Sequence, residues 1–321
     1  MVVLLADVAQ AQTAERLRVE SGAPGVGIGL CVGAECRVEV AGLREVGGAP
    51  VQSSDAWHLG SIGKSMTAVL AARLVERGQV SWEEIGPLLQ HRAGYPANLS
   101  WLQRVRYSGE RAEPMADRAA IAARAKPGAQ GDYLYSNLGY IMAGHLIEQR
   151  HGAPYESLLH SELFGPLNLP SAGFGPPPTI KGHRRTLFGA LRPMPADPRS
   201  DNIQAMAPAG KMHIALPDLL TYLRAHRDHD PLLSQATWQR LHAGVVGDYA
   251  MGWQVTQEGL AHDGSNTFWY AAVFVWPEWD AVLAITTNAP YEERVYFAVR
   301  DAAARVGNAL RAGEGISALS P

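Results

Sequence analysis

Cysteine is scarce in this chain: only Cys31 and Cys36 occur among 321 residues. Two cysteines cannot build a framework of several disulfides, and no cysteine and histidine cluster has the spacing of a zinc site. The pair flanks a four-residue turn in a predicted hairpin, so the two side chains can face each other across the strands. Reduced packing residues are favoured there over a disulfide. We expect no structural metal and no cofactor.

Long hydrophobic runs are also missing. No apolar run approaches the roughly 18 residues that a bilayer-spanning helix needs, because even WYAAVFVW is followed at once by Pro277 and Glu278. We therefore expect no membrane span. The opening segment MVVLLADVAQAQTA contains a short apolar run and an Ala-Gln-Ala sequence like a signal cleavage site, but no basic region. The expected location is cytoplasmic by default, or periplasmic if the start of a signal peptide is missing.

Excess charge of either sign is absent as well. The formal net charge is −3 at pH 7, and no block of like charges stands out. A basic surface is what nucleic acids and other polyanions require, so partners of that kind are not expected. With 47% hydrophobic and 18% charged residues, the chain is long enough for a large core in one domain or two.

The predicted strands lie at the two ends of the chain, and predicted helices fill the middle. β-Branched and aromatic runs bounded by turn residues predict strands at VGIGLCV, CRVEVAGL, AWHLG, AMGWQV, GLAHDG, FWYAAVFVW and AVLAITTN. Apolar residues at helical spacing predict a first helix near residues 8–19, a middle set that includes LPDLLTYLRAHRD, and a final helix after Pro290.

This order predicts an α/β (α+β) fold, in which an antiparallel sheet is flanked by helices and a helical lobe is inserted between the N- and C-terminal strands. Residues 1–58 and 245–321 would form the sheet-containing lobe, and residues 59–244 the mainly helical lobe. A cleft between two such lobes is the expected place for an active site.

Residues 175–209 interrupt the helical middle with many prolines and arginines and with little periodicity. We expect a surface loop at the rim of the site. Its arginines, Arg184, Arg185, Arg192 and Arg199, are suited to attract an anionic substrate, but the favoured interpretation is that they are solvated surface charges.

The segment HLGSIGKSMTA places Ser61 and Lys64 three positions apart at the start of an apolar helix. Side chains at i and i+3 share a helical face and lie within hydrogen-bonding reach. Serine becomes a good nucleophile beside a base, and apolar surroundings lower the pKa of lysine toward that use. Lysine is rare in this chain, with only four residues. The competing interpretation is a helix cap followed by a solvated lysine.

The segment GDYLYSNLGYIMAGHLIE places Tyr135 and Asn137 two positions apart, directly before another predicted helix. A tyrosine beside a cationic lysine can become a phenolate that transfers protons. Taken alone, the pair is better explained as a buried aromatic residue followed by a helix cap.

The segment LAHDGSNTFWY places His262 and Gly264 on one face of a predicted strand. Glycine there leaves room for a substrate backbone, and the amide of Ser265 is placed to donate to an oxyanion. On its own, His262 is better explained as a polar residue with satisfied hydrogen bonds.

These three segments together give S-x-x-K, Y-x-N and H-x-G in the order found in penicillin-recognising serine hydrolases. With tyrosine opening the second motif, the sequence resembles the class C β-lactamase-like family, which includes D-alanyl-D-alanine carboxypeptidases, D-aminopeptidases and carboxylesterases. The resemblance covers nearly the whole chain, since PGVGIGLCV, LLQHRAGYP, PAGKMHIALPDLLTYL and the closing strands also match.

The resemblance implies a role for each motif residue. Ser61 would be the acylated nucleophile, and Lys64 and Tyr135 would transfer its proton. Asn137 would bind the substrate amide. The third motif, His262 and Gly264 with Ser265 after it, would complete the substrate site, and His262 would assist a carboxylate or the leaving group. The amides of Ser61 and Ser265 would form the oxyanion hole.

The resemblance also implies a serine hydrolase that acts on a small ester, amide or β-lactam. A carboxylesterase is favoured, followed by a D-amino-acid peptidase or carboxypeptidase, then a β-lactamase, then a catalytically silent binding protein. β-Lactamase activity ranks low because true class C enzymes usually have lysine at the position of His262, and histidine is cationic only when protonated. The physiological substrate and the oligomeric state stay open.

Overall fold

The structure is a computed structural model and describes residues 12–108, 113–195, 197, 200–244 and 247–319. The possible signal segment at the start of the chain and Arg199 lie outside these residues. Among the described residues, no helix combines the length and apolar character that crossing a membrane requires.

The main sheet joins the two ends of the chain, as predicted. Its strands are β1 Gly25–Val32, β2 Glu35–Gly42, β8 Gln254–Val255, β9 Leu260–Ser265, β10 Tyr270–Trp276 and β11 Ala281–Thr287. They form an antiparallel sheet in the order β2-β1-β11-β10-β9-β8. The first strand of the chain thus pairs with the last.

Two short sheets complete the strand content. The strands β3 Ala56–His58, β4 Gly173–Phe174 and β7 Met212–Ala215 form one, and β5 His183–Arg185 pairs with β6 Leu191–Pro193 in the other. The strand predicted at AWHLG is therefore present, but it covers only Ala56–His58. It pairs with β7 rather than with the main sheet, because both edges of β1 are already occupied by β2 and β11.

Helices cover both faces of the main sheet. They are α1 Gln12–Ser21, α2 Gly63–Glu76, α3 Trp82–Leu89, α4 Trp101–Arg106, α5 Pro114–Ala122, α6 Asn137–His151, α7 Tyr155–Leu159, α8 Ala207–Gly210, α9 Leu216–Asp228, α10 Gln235–His242 and α11 Glu293–Arg311. The π-helical turn His160–Phe164 continues α7. Helices α1 and α11 pack on one face of the sheet, and α9 packs on the other.

The hydrophobic core follows the alternation of side chains along the strands. In β11, Val282 and Ala284 face the core formed with α2 and α9, while Leu283 and Ile285 face the core formed with α1 and α11. Helix α9 lies within residues 59–244, the segment assigned to the helical lobe, but it packs on the main sheet. The boundary between the two lobes at residues 244 and 245 stays a prediction.

The expectation of reduced cysteines is wrong. The hairpin register places Cys31 directly opposite Cys36, with the two Cα atoms 4.0 Å apart, and the two residues form a disulfide. The reason is geometric, because directly opposed residues on antiparallel strands bring their Cβ atoms close together.

Candidate active site

Ser61 lies in a tight turn that packs against the end of β9. The turn, Gly60–Ile62, precedes α2 directly. A Cβ atom at Gly60 would lie 2.2 Å from the Ser265 amide nitrogen, and one at Gly264 would lie 1.9 Å from the Leu59 carbonyl oxygen. Only glycine permits this backbone contact, since real Cβ atoms do not approach other atoms so closely.

The contact brings the two amides of the expected oxyanion hole together, because the Cβ position of Gly264 is also 3.0 Å from the Ser61 nitrogen. The interpretation of Gly264 itself needs correction. The space beside it is filled by the Leu59 carbonyl of the nucleophile turn and is not open to a substrate backbone.

Lys64 is fully buried one helical turn after Ser61. Its Nζ atom lies 2.9 Å from Ser61 Oγ, 2.8 Å from Asn137 Oδ1 and 2.5 Å from the Ala209 carbonyl oxygen. The apolar helix that holds it is buried on nearly every side, as its sequence predicts. Burial lowers the pKa of Lys64 well below its usual value, because removal from water disfavours the charged form.

The contacts of Lys64 allow it to act as a base when its amine is neutral. The amide oxygens of Asn137 and Ala209 can only accept hydrogen bonds, so they take the two N–H groups of a neutral lysine. The remaining lone pair then faces Ser61 and can accept its hydroxyl proton. An ammonium group would instead donate to all three oxygens.

Tyr135 forms a side-chain hydrogen bond with Ser61. Burial raises the pKa of Tyr135 well above its usual value, and its hydrogen bond with Ser61 lowers it by less. The Nζ atom of Lys64 lies 4.9 Å from the centre of the Tyr135 ring. Burial therefore opposes the phenolate that the sequence suggested, and the role of Tyr135 in proton transfer stays a prediction.

Asn137 is the first residue of α6 and joins the same group. Its Oδ1 accepts from Lys64, and its Nδ2 donates to Asn98 Oδ1 at 2.7 Å. The helix cap is Ser136, whose hydroxyl accepts from the Gly139 amide. The side chain of Asn137 is thus available to the site because its neighbour caps the helix.

His262 is buried beneath the site, and both of its ring nitrogens have partners. Its Nδ1 lies 2.6 Å from the Asp263 carbonyl oxygen, and its Nε2 lies 2.9 Å from the Tyr249 hydroxyl. Because a carbonyl can only accept, Nδ1 holds the proton and Nε2 accepts from Tyr249. Burial lowers the pKa of His262 to about 3. His262 is therefore neutral near pH 7 and holds Tyr249, while its expected contact with substrate stays a prediction.

A buried polar network behind the nucleophile turn was missed by sequence reasoning. Asp201 Oδ1 lies 2.9 Å from His58 Nε2 and 3.0 Å from Asn266 Nδ2, and Lys211 Nζ lies 3.0 Å from Asp201 Oδ2. His58 Nδ1 in turn accepts from the Gly60 amide at 3.0 Å.

This network, His58–Asp201–Lys211–Asn266, links the nucleophile turn to the residue that follows Ser265. Burial by itself would raise the pKa of Asp201, but the charges and hydrogen bonds of His58, Lys211 and Asn266 hold it below its usual value. The one available signal was the rarity of lysine, since Lys211 is among only four. No local spacing connects Asp201 to its partners.

The rim segment 175–209 is more structured than expected. It contains β5, β6, a 3-10 turn at Gln204–Met206, α8 and the buried Asp201. Arg185 pairs with Glu292 at 2.6 Å, while Arg184 and Arg192 are exposed, as solvated charges would be. Within the described ranges, no group of three or more His, Cys, Asp or Glu residues is placed to hold a metal ion.

Comparison with known proteins finds a relative by sequence and several solved structures with a similar fold. Penicillin-binding protein 4 of Amycolatopsis lactamdurans is 22% identical over 85% of this chain and 83% of its own length. The D-amino acid amidase of Ochrobactrum anthropi SV3, solved with L-phenylalanine, superposes with a TM-score of 0.79 at 20% identity, over 96% of this chain and 100% of the amidase.

An octameric penicillin-binding protein homologue from Pyrococcus abyssi superposes with a TM-score of 0.76 at 20% identity, over 94% of this chain and 77% of that one. At such identities these structures establish the fold alone. The sequence itself matches the beta-lactamase family over residues 8–84 and 85–308. The chain therefore belongs to the beta-lactamase family, a family of serine hydrolases.

Proposed function

We propose that this protein is a serine hydrolase that works through an acyl-enzyme on Ser61, and that its substrates are small esters. The observation that supports this most directly is the buried Lys64, whose Nζ lies 2.9 Å from Ser61 Oγ while its other two contacts are amide oxygens. A lysine without a carboxylate partner and removed from water is suited to act as a base.

In the proposed reaction, Ser61 Oγ attacks the ester carbonyl while its proton moves to Lys64. The amides of Ser61 and Ser265 donate to the oxyanion that forms. The C–O bond to the leaving alcohol then breaks, and the alcohol takes a proton from Lys64 by way of Tyr135. Water, deprotonated by the same groups, attacks the acyl-enzyme and releases the carboxylic acid, which restores the Ser61 hydroxyl.

The residues on the leaving-group side of Ser61 favour an ester substrate over a peptide whose leaving group has a free carboxylate. His262 is neutral and its ring is already hydrogen-bonded to Tyr249. Arg92, which lies over the Tyr133 ring, is paired with Asp248 at 3.1 Å. A carboxylate beside the leaving group would meet no uncompensated charge from these residues, and burying it unpaired is costly.

Covalent labelling with a fluorophosphonate probe, followed by intact mass, tests the nucleophile. The wild type should gain one adduct, and Ser61→Ala should gain none. Ser65→Ala is the matched control, since Ser65 lies on the same helix and bonds to the Ile62 carbonyl and Tyr222. It should label like the wild type. A wild type that never labels would contradict the proposal and favour a silent binding protein.

Turnover of a short-chain nitrophenyl ester should exceed that of D-alanine and D-phenylalanine amides. The D-amino acid amidase is a fold relative at 20% identity, so amide hydrolysis is the natural alternative. Efficient cleavage of D-amides with poor ester turnover would replace the esterase assignment with that one.

A further inference from the structure

The hairpin formed by β5 and β6 ends in two large apolar side chains that no other residue covers. Leu187 is 101% exposed and Phe188 is 99% exposed, while the next most exposed large apolar side chain among the described residues, Trp101, is 73% exposed. Turn positions usually hold glycine, proline or small polar residues. Contiguous apolar side chains left in water mark sites of interaction, so this hairpin tip is suited to contact something outside the chain.

Hydrogen bonds hold the tip in a defined shape. The Thr186 amide donates to the Ala190 carbonyl at 2.8 Å, and the Gly189 amide donates to the Thr186 carbonyl at 2.9 Å. The Ala190 amide donates to Thr186 Oγ1 at 3.1 Å. Gly189 has a φ of +80°, the left-handed conformation that glycine favours in such turns. Leu187 and Phe188 are therefore presented by a closed turn.

The base of the hairpin is fixed to the body of the protein through His183, which is fully buried. The His183 amide donates to the Phe268 carbonyl at 3.1 Å, and its Nδ1 donates to the Asn288 carbonyl at 2.7 Å. Its Nε2 accepts from the Val46 amide at 3.1 Å. A hairpin with a buried base and a fully exposed tip projects from the surface.

Two arginines on the strands just behind the tip lack a negative partner. Arg184 and Arg192 lie directly opposite each other in the register of β5 and β6. Directly opposed residues of neighbouring strands share one face of the hairpin, and like charges in this arrangement repel each other. Both are exposed, and among the described residues neither has a carboxylate within ion-pair distance. An anion bound between them would relieve the repulsion.

The carboxylates beside the hairpin are already paired. Glu292 pairs with Arg185 at 2.6 Å, and Glu45 pairs with Lys181 at 2.9 Å. The charge that remains free on the hairpin is therefore that of Arg184 and Arg192, and it is positive.

An apolar tip with cations directly behind it matches an anionic lipid surface. Apolar side chains enter such a surface just below the headgroups, and arginine binds the lipid phosphates. Two further exposed side chains border the hairpin: Val46, which bonds to His183, is 49% exposed, and Tyr291, next to Glu292, is 55% exposed. A projecting tip suits a fluid lipid layer, since a protein partner would need a pocket shaped to receive it.

We propose that the hairpin tip, Leu187 and Phe188, inserts into the surface of a membrane that contains anionic lipids, with Arg184 and Arg192 on the lipid phosphates. The protein then binds the membrane from one side without spanning it. The proposal does not depend on the proposed esterase activity, because no residue of the hairpin takes part in the reaction at Ser61.

Cosedimentation of the full chain with vesicles at low salt tests the proposal. The wild type should bind vesicles of phosphatidylcholine with about 30% phosphatidylglycerol about 10-fold more tightly than vesicles of phosphatidylcholine alone. The tip variant Leu187→Ser/Phe188→Ser should bind the anionic vesicles at least about 10-fold more weakly than the wild type. Arg184→Gln/Arg192→Gln should reduce the preference for anionic vesicles to below about 3-fold.

Two double variants are matched controls. Leu102→Ser/Val105→Ser removes side chains of α4 that are 72% and 51% exposed, and Arg124→Gln/Lys126→Gln removes two exposed cations after α5. Both should bind vesicles like the wild type. Because all of these substitutions are at exposed positions, circular dichroism spectra should match that of the wild type.

Three results in the vesicle assay would overturn the proposal: a wild type that does not bind anionic vesicles, binding that survives in the tip variant, or an equal loss of binding in the α4 variant. Mass photometry without lipid tests whether the tip instead contacts a second copy of the chain. The wild type and the tip variant should have the same mass. A wild-type oligomer that dissociates in the tip variant would assign the tip to a contact between copies and would also overturn the proposal.

Discussion

At the scale of single residues, two of the four lysines are buried near Ser61 in opposite surroundings. Lys211 has a carboxylate partner, Asp201, at 3.0 Å. Lys64 has only neutral oxygens around it, in Ser61, Asn137 and Ala209. The difference in partners is what separates a charged group that stabilises the site from a group able to accept a proton.

The pH dependence of acylation should therefore follow Lys64. Only the neutral amine accepts the Ser61 proton, so the acylation rate should rise as pH increases through the lowered pKa of Lys64 and then level off. Lys64→Met should reduce the rate by about 10²- to 10⁴-fold, the usual contribution of a general base, and should remove the rising limb. Rates of fluorophosphonate labelling between pH 5 and 10 measure both effects.

Lys126→Met serves as the control for lysine loss, because the Lys126 side chain is exposed whereas Lys64 is fully buried beside Ser61. This variant should show the same pH dependence of fluorophosphonate labelling as the wild type. A Lys64→Met variant that kept the rising limb would show that another group is the base.

At the scale of secondary-structure elements, the contact between the nucleophile turn and β9 determines the geometry of the oxyanion hole. Gly264→Ala would place a methyl group 1.9 Å from the Leu59 carbonyl, and backbone atoms on both sides leave it no room. We expect the turn to shift and labelling of Ser61 to fall by at least about 100-fold, the usual cost of losing an oxyanion donor.

Gly307→Ala is the matched control for adding a methyl group. Gly307 lies in α11, and a Cβ there would meet the Trp279 ring at 3.6 Å, which is ordinary contact. This variant should label normally and gain about 0.5–1 kcal/mol in unfolding free energy, because glycine weakens helices. Normal labelling of Gly264→Ala would mean that the turn is not held by this contact.

Elements of strong local pattern were predictable, and those that depend on distant partners were not. The helix α2 and the strands β10 and β11 are apolar enough to be recognised alone. The pairing of β3 with β7 depends on residues about 155 positions apart, which no local pattern encodes. The disulfide between Cys31 and Cys36 depends on the register of a hairpin, and a shift of one residue would separate the cysteines.

The residues of the candidate site fall into the same two groups, those within short motifs and those whose partners are distant in sequence. Ser61, Lys64, Tyr135 and Asn137 were predicted because three short motifs occur together in the order of a known family, although each pair alone had a competing interpretation. Asp201 was missed because its partners, His58 and Asn266, come from other parts of the chain. The raised pKa of Tyr135 was missed too, since burial causes it and burial is a property of the folded chain.

At the scale of the whole molecule, the fold packs the histidines of the site among tyrosines from distant segments: His91 lies against Tyr135 and Tyr249, and His262 lies against Tyr249. His91 and His262 are only 2% and 3% exposed. Burial lowers the pKa of His91 to about 2 and that of His262 to about 3. Both therefore stay neutral in the folded protein at pH values where an unfolded chain would protonate them.

This burial should make the protein sensitive to acid well above the pH at which carboxylates titrate. Below about pH 6.5 the unfolded state binds protons at both histidines and the folded state does not, so the free energy of unfolding must decrease as pH falls. At pH 5 the loss is about 2 kcal/mol for each histidine relative to pH 8, or about 4 kcal/mol together.

Urea denaturation at pH 5, 6, 7 and 8 measures the summed loss from these two and the other buried histidines with lowered pKa values, His226 and His242 among them, as a shift in midpoint at constant slope. His91→Gln isolates one contribution, because glutamine does not titrate and its amide oxygen can still accept from the Ser136 backbone, as His91 Nδ1 does at 2.9 Å. The variant should lose about 2 kcal/mol less than the wild type between pH 8 and pH 5. Parallel pH dependences for the two proteins would show that His91 is protonated in the folded state, and that its packing among the tyrosines does not keep it neutral.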